Sequence, residues 1–564
     1  MKRMLKKRFL QPALFLLLLF LSLATAFRPQ DRYFEITKGL DIFAAAFRDL
    51  DMYYVDSIAP GKLINTGLMA MTESLDPYTY FYTEDNLGDL DFQTTGKYGG
   101  VGIAIRKEGS WTAVSDIYED APMEKAGIKI GDIIVSLNGR SARGMTEDTI
   151  SELLRGEPGT ALRITVRNPL NGHEATHRVV RSEINIRAVP YAGMLPGDIG
   201  YIRMIQFTEK SSEEVKAAFL RLKRQHPALK GLVLDLRGNP GGLLDQAVET
   251  ANLFIGRDQT IVSTRGKIRS WNRTYRTRHE PLDDQIPLAV LTDRMTASAS
   301  EIVAGAVQDL DRGVILGQRS FGKGLVQTTR NLPYHTRMKL TIAHYYTPSG
   351  RCIQAIDYAR HRDDGSVAYV PDSLKHAFKT RNGREVMDGG GIEPDLEISP
   401  AYLSSLAVML VNRDYIFDYA TRYYYRHPDA PDPGDFHLDS GVFNDFVRYL
   451  DSKKYHYKSS SEIALESFRQ AAEKDHYLPA VKQELQSLEE KIRPDKHRAL
   501  QQHRSEIRQL LAEEIMNRYY LRAGRIRQQI GGDELVKRAA EVLSRPVVYD
   551  SLLQVPASKK PVSS

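Results

Sequence analysis

Gly231-Leu232-Val233-Leu234-Asp235-Leu236-Arg237-Gly238-Asn239-Pro240-Gly241-Gly242 is the stretch that decides the fold. Gly231 to Leu236 is an apolar run without alternation, as expected of a strand buried on both faces. Arg237 to Gly242 is rich in turn residues. Beyond it Leu243, Leu244, Ala247, Val248, Ala251, Phe254 and Ile255 recur at helical spacing. The order then repeats. Pro287 to Leu291 reads as a strand, Ser300 to Leu310 as a helix and Gly313 to Leu316 as a further strand. Strands feeding helices through short glycine turns predict βαβ crossovers and a mostly parallel sheet across residues 182–400.

Two short motifs lie on this frame. Thr296-Ala297-Ser298-Ala299-Ser300-Glu301 follows the second strand, and Phe321-Gly322-Lys323-Gly324-Leu325-Val326-Gln327 follows the third. A serine hydroxyl is a weak nucleophile until a base takes its proton, and a desolvated lysine can be that base. Phe321, Leu325 and Val326 are placed to desolvate Lys323, which lowers a lysine's pKa. If Lys323 to Thr328 is a strand, Lys323, Leu325 and Gln327 share one face, and Gln327 can accept a hydrogen bond from the lysine. Ser298 stands at a helix N-terminus, where free N–H groups favour developing negative charge. The N–H of Ala299 is one oxyanion donor, and Gly241-Gly242 is the natural source of a second. The bland reading of Thr296, Ser298 and Ser300 is helix capping, and Ser300 suits that task in either case.

Upstream, residues 94–181 have a different texture. Val101 to Ile105, Ile130 to Leu137 and Leu162 to Val166 read as strands. Asn138-Gly139 is a tight turn. Thr146 to Leu154 is a helix with a threonine cap. Tyr98-Gly99-Gly100-Val101-Gly102-Ile103, Ala121-Pro122-Met123-Glu124-Lys125-Ala126-Gly127 and Gly131-Asp132-Ile133-Ile134 with Leu137-Asn138-Gly139 together resemble a PDZ module. That resemblance implies binding of a peptide C-terminus at Gly99, Gly100, Val101, Gly102 and Ile103, the peptide adding as a strand.

The protease-like motifs resemble those of the C-terminal processing peptidases, or tail-specific proteases. The quoted run from Asp235 to Gly242, the two motifs around Ser298 and Lys323, and Tyr346-Thr347-Pro348-Ser349-Gly350-Arg351 all carry the likeness, which covers roughly residues 35 to 400. It implies a multidomain α/β chain: a crotonase-like βαβ protease core preceded by a PDZ domain, with an N-terminal helical segment and a C-terminal helical extension. It implies a serine endopeptidase with Ser298 as nucleophile, Lys323 as general base, Gln327 as its orienter and the N–H groups of Gly242 and Ala299 as oxyanion hole. No metal or other cofactor is expected. The partners expected are unfolded or loosely folded proteins entering by their C-termini. A non-catalytic PDZ scaffold is the alternative, although it would need neither Lys323 nor Gln327.

Other matches compete. His173-Glu174-Ala175-Thr176-His177 fits the zinc pattern H-E-x-x-H, which needs a helix. Here it follows the hairpin turn Asn171-Gly172 and reads as strand. Gly317 to Gly324 is one mismatch from a phosphate loop, but a strand follows where a helix should. His335 and His344 are available for a Ser-His-Asp arrangement, yet no G-x-S-x-G elbow surrounds Ser298.

At the N-terminus Lys2, Arg3, Lys6, Lys7 and Arg8 precede the apolar run Ala13 to Leu21 and the small-residue site Ala24-Thr25-Ala26. This is the grammar of a secretory signal peptide over residues 1–26, predicting an exported, periplasmic or envelope protein; an uncleaved anchor is the alternative. Without those five, the 77 basic residues fall to 72 against 71 acidic, so the formal charge of +6 does not point to nucleic acid. The single Cys352 cannot form an intramolecular disulfide and reads as a small buried or incidental residue. Residues 27–93 are predicted helical, with Leu40, Phe43, Phe47, Leu50 and Tyr54 at helical spacing, as are residues 401–564. The C-terminal extension shows no chemistry of its own. Its helices are expected to serve as scaffold, adaptor-docking or homo-oligomer surfaces.

Overall fold

A computed structural model describes residues 30–361, 367–399, 402–433, 436–453, 455, 457–492 and 496–555. The predicted signal peptide lies outside them. The chain divides into two compact units, Met1–Thr83 and Glu84–Ser564. The first holds α1 (Gln30–Tyr53) and α2 (Pro60–Glu73). Most of α1's large apolar side chains, among them Tyr33, Leu40, Phe43 and Leu50, are exposed. Among the described residues no helix is long and apolar enough to cross a membrane.

The second unit opens with α3 (Leu87–Thr95), β1 (Lys97–Gly100), β2 (Ile103–Glu108), β3 (Trp111–Ile117) and β4 (Ile133–Leu137). After α4 (Glu147–Leu154) come β5 (Ala161–Arg167), β6 (Glu174–Val180) and β7 (Ser182–Asn185). Strands β2-β3-β4-β5-β6 form an antiparallel sheet with β2 at one edge, and β1 pairs with β7. Asn138 and Gly139 both take positive φ, as the tight turn requires. Thr146 caps α4 by accepting from Thr149 N–H at 3.2 Å. The glycine stretch differs from expectation. Tyr98, Gly99 and Gly100 belong to a strand, and β2 begins at Ile103, so only Val101 and Gly102 form the link. A side chain on Gly99 would meet the Gly156 carbonyl oxygen at 2.4 Å, which is why the ladder needs glycine there.

The protease-like core contains β8 (Tyr191–Leu195), β9 (Ile199–Arg203), α5 (Ser211–Gln225), β10 (Gly231–Asp235), α6 (Leu244–Asn252), β11 (Thr260–Gly266) and β12 (Arg273–Arg276). It continues with β13 (Leu288–Thr292), α7 (Ala299–Asp309), β14 (Val314–Gly317), β15 (Leu325–Asn331), β16 (Arg337–Tyr346) and β17 (Leu396–Glu397). The main sheet runs β8-β9-β10-β13-β14-β17, parallel except for the β8–β9 pair. Every residue of β10, β13 and β14 is buried, as the unbroken apolar runs predict. Helices α5, α6 and α7 pack Phe219, Val248, Ile302 and Val303 against one face, joined by Phe254 just beyond α6. Antiparallel strands β15-β16-β11-β12 form a second sheet.

The remaining helices are α8 (Ser405–Asn412), α9 (Tyr415–Arg426), α10 (Ser440–Ser452), α11 (Ser460–Lys474), α12 (Leu478–Ile492), α13 (Lys496–Gln502), α14 (Arg504–Gly532), α15 (Glu534–Leu543) and α16 (Pro546–Leu552). Helix α14 is kinked at Tyr520 and Leu521, whose dihedrals leave the helical region. The last turns are not an appendage. Ile526, Val536, Ala539, Val542, Leu543 and Tyr549 cover the second face of the main sheet over Ile199, Val233, Leu291 and Leu316. The layer is thus sheet between helices, with its second helical cover supplied by the chain's far end.

Candidate active site

Ser298 sits between β13 and α7 at φ 57° and ψ −115°, a conformation costly for a residue with a Cβ. What holds it there is Glu301, fully buried in the first turn of α7. Glu301 Oε2 accepts the Ser298 N–H at 2.7 Å and the Lys323 N–H at 2.9 Å. Its Oε1 accepts Ser320 Oγ at 2.5 Å and the Gly322 N–H at 2.7 Å. One carboxylate therefore ties the serine turn to the lysine turn. Burial pushes its pKa up to about 7, against the four hydrogen bonds that favour the ionised form. Both Ser298 and Lys323 are half-buried.

The glycine turn closes on the same point. A Cβ on Gly241 would lie 2.7 Å from Ser298 Cβ and 2.8 Å from the Ala299 nitrogen, so only glycine permits this approach. Gly242 forms a parallel bridge with Phe207. The Phe207 N–H donates to the Gly241 carbonyl and the Leu243 N–H to the Phe207 carbonyl. In such a bridge the N–H of Gly242 points to the opposite side. Asn239 locks the turn onto the serine loop: its carbonyl accepts from the Ala297 N–H and from Ser300 Oγ, each at 3.0 Å. Ser300 thus ties down the glycine turn instead of capping α7, whose N-cap residue is Ser298 in a capping box with Glu301.

At the head of the turn lies a buried charge cluster. Asp235 receives Arg237 on both oxygens, Arg203 Nη1 at 2.7 Å and Tyr201 Oη at 2.6 Å. Burial alone would raise its pKa, but the Arg237 and Arg203 guanidiniums hold the carboxyl far below the usual range.

Strand β15 begins at Leu325, not at Lys323, so the lysine projects from the turn before the strand. Gln327 is paired with Thr341 across the ladder and donates from Nε2 to Thr341 Oγ1 at 3.1 Å. An orienting bond from Lys323 would therefore fall to its Oε1. Tyr345 Oη donates to the Ser298 carbonyl at 3.2 Å. Because strand side chains alternate, His344 faces away from Ser298, where its Nδ1 lies 3.9 Å from Cys352 Sγ. Burial pushes the Cys352 thiol pKa up and that of His344 down, which disfavours a thiolate–imidazolium pair. The histidine motif at 173–177 runs into strand β6, without the helix that a zinc site of that type needs.

The PDZ groove lies between β2 and α4. Val101, Ile103, Ile105, Leu154, Tyr98 and Tyr118 line a cavity of about 350 Å³. Gly99 and Gly100, expected at this groove, are instead in the ladder with β7.

Residues 198–361 match Peptidase family S41, residues 114–168 a PDZ domain and residues 406–543 the C-terminal helical domain of a probable PDZ-protease. The carboxy-terminal-processing protease of Bartonella bacilliformis is 39% identical over 321 residues, 57% of this chain and 73% of that protein. The chain belongs to the carboxy-terminal-processing protease family. Another member, a probable CtpA-like serine protease of Staphylococcus haemolyticus, is 28% identical over 67% of this chain and 68% of its own length. A solved photosystem II D1 C-terminal processing protease is 29% identical, with a TM-score of 0.34, covering 64% of this chain and 92% of that one.

Glu301 and Ser300 are parts of this candidate site that motif reading did not assign. The signal for Glu301 was present: Ser-x-x-Glu at a helix start is a capping box. Asn239 and Arg237 lay inside the quoted motif, but Ala297 and Ser300, which bind Asn239, and Asp533, which binds Arg237, are distant in sequence.

Proposed function

We propose that this chain is a serine endopeptidase that cleaves proteins captured by their C-terminal tails, using Ser298 as nucleophile and Lys323 as general base. The observation that carries the reading is the shared Glu301 oxygen, which holds the main chains of Ser298 and Lys323 at one atom. The strained backbone at Ser298 adds support, since such strain persists where surrounding contacts demand it and gathers at reactive sites. A PDZ scaffold without catalysis has no use for either.

In the proposed cycle, Lys323 Nζ takes the Ser298 hydroxyl proton as Oγ attacks the peptide carbonyl. The carbonyl oxygen gains negative charge and is met by the N–H groups of Gly242 and Ala299. Lys323 then gives its proton to the leaving amine, and the amide bond breaks to leave an acyl-Ser298 ester. Water, deprotonated by Lys323, hydrolyses the ester and restores Ser298. Gln327 Oε1 is assigned the role of orienting Lys323. The tail adds along β2, whose outer edge is unpaired in its sheet, and its apolar end residues enter the groove.

The test is cleavage of an unstructured protein with an apolar C-terminus, without added metal, by wild type, Ser298→Ala and Lys323→Ala. Cleavage by wild type alone is expected. Cleavage surviving in Ser298→Ala would overturn the reading. The same substrate with an amidated C-terminus should be cut more slowly, because the PDZ loop loses its carboxylate.

A further inference from the structure

The C-terminal helical domain reaches the turn that carries Gly242. Asp533, the residue just before α15, uses its two carboxylate oxygens for different tasks. Oδ1 caps α15, accepting the Leu535 and Val536 N–H groups at 3.0 and 3.2 Å. Oδ2 pairs with Arg237 Nη1 at 2.7 Å. The other side of the same guanidinium, Nε and Nη2, is held by Asp235. Arg237 is therefore clamped between β10 of the core and the cap of α15. It is also the first residue of the turn that leads through Asn239 to Gly241 and Gly242. The clamp is well shielded, with the Arg237 and Asp533 side chains only 20% and 16% exposed. Downstream the turn is fixed by the Phe207 bridge and by Asn239. At its entry Asp235 and Asp293 accept the Arg237 and Gly238 N–H groups, and Asp533 adds the brace on the outer side of the Arg237 guanidinium.

We propose that Asp533 is a positioning residue for the protease reaction: through Arg237 it sets the turn that presents the Gly242 N–H to the developing oxyanion. The proposal rests on the Ser298–Lys323 reading. It assigns a task to a helical domain that lies outside the catalytic motifs. A turn that drifts by a fraction of an ångström weakens an interaction felt mainly in the transition state, so kcat should fall while KM holds.

The divided carboxylate makes the test selective. Asp533→Asn keeps an oxygen for the cap, since asparagine caps as well as aspartate, and removes the charge facing Arg237. Asp533→Ala removes both. Full-length variants would be compared in kcat and KM on the tailed substrate, with urea midpoints and with binding of a free C-terminal peptide. Both variants should lose about tenfold or more in kcat with KM and peptide binding unchanged. The larger drop in urea midpoint should belong to Asp533→Ala. Wild-type kcat in Asp533→Asn would overturn the proposal, leaving Asp533 as a cap alone. Ser298→Ala run alongside separates the failures: if that variant still cleaves, the reading of the site has failed, and if it is dead while Asp533→Asn is normal, only the positioning role has failed.

Discussion

Glu301 meets four donors with two oxygens, and this sets what it can be replaced by. Glutamine offers one oxygen and one NH2, so one pair of donors would face a third donor. Glu301→Gln is expected to lower kcat/KM by about 100-fold or more, measured on the tailed substrate, because Ser298 and Lys323 lose their common anchor. The pH dependence follows from its raised pKa. The folded state holds this proton more tightly than an unfolded carboxyl of 4.5. Its contribution to stability is thus full below the ordinary carboxylate range and is lost as pH rises from about 4.5 to 7, an amount of roughly 3 kcal/mol. Activity runs the other way, since only the ionised form accepts all four bonds. Urea midpoints at pH 5 and pH 8 should differ less in Glu301→Gln than in wild type. Gly241→Ala is expected to abolish cleavage, since φ is +99° there and a Cβ would touch Ser298; loss of activity with a retained fold in circular dichroism would be the check. Ser298, Lys323 and the glycine turn were legible as motifs because their residue types carry chemistry. Glu301 was less so, since a buried carboxylate acting through the backbone looks like any helix-start acid.

At the scale of elements, β2 and β15 both begin two residues later than the apolar pattern implies. At β2 the reason is the β1–β7 pairing, a contact between segments 85 residues apart that no local pattern displays. At β15 the Gly324 N–H is committed instead to Gln354 Oε1, while its carbonyl accepts from Tyr345 of β16. The parallel strands β10, β13 and β14 were readable nearly to the residue, because burial on both faces leaves an uninterrupted apolar run. The edge position of β2 makes a prediction of its own. Ile103→Asp, which places a charge in the groove, should cut kcat/KM for the tailed substrate by about tenfold. The amidated substrate should respond much less, and an equal loss on both would place the groove outside tail recognition.

At the scale of the molecule, the sheet's second face explains why the core could not be closed at residue 400 from sequence. Unbroken apolar strands announce that two covers exist, but not which segment supplies the second. Val536, Ala539, Val542 and Leu543 show helical spacing, yet nothing local says that they lie on Val233 and Leu291. A chain ending at residue 525 should therefore fail to give a folded core, as judged by a lost cooperative urea transition. Removing the α11–α12 hairpin, whose contacts are chiefly between its own two helices, should leave the urea midpoint nearly unchanged.

That arrangement also carries a timing. The strands bearing the serine and lysine turns are made more than two hundred residues before α15. Until the chain's final segment emerges, one face of the sheet is bare and Arg237 has only one of its two anchors. On the proposed reading, synthesis from N- to C-terminus delivers the serine and lysine turns well before the helix whose cap braces Arg237.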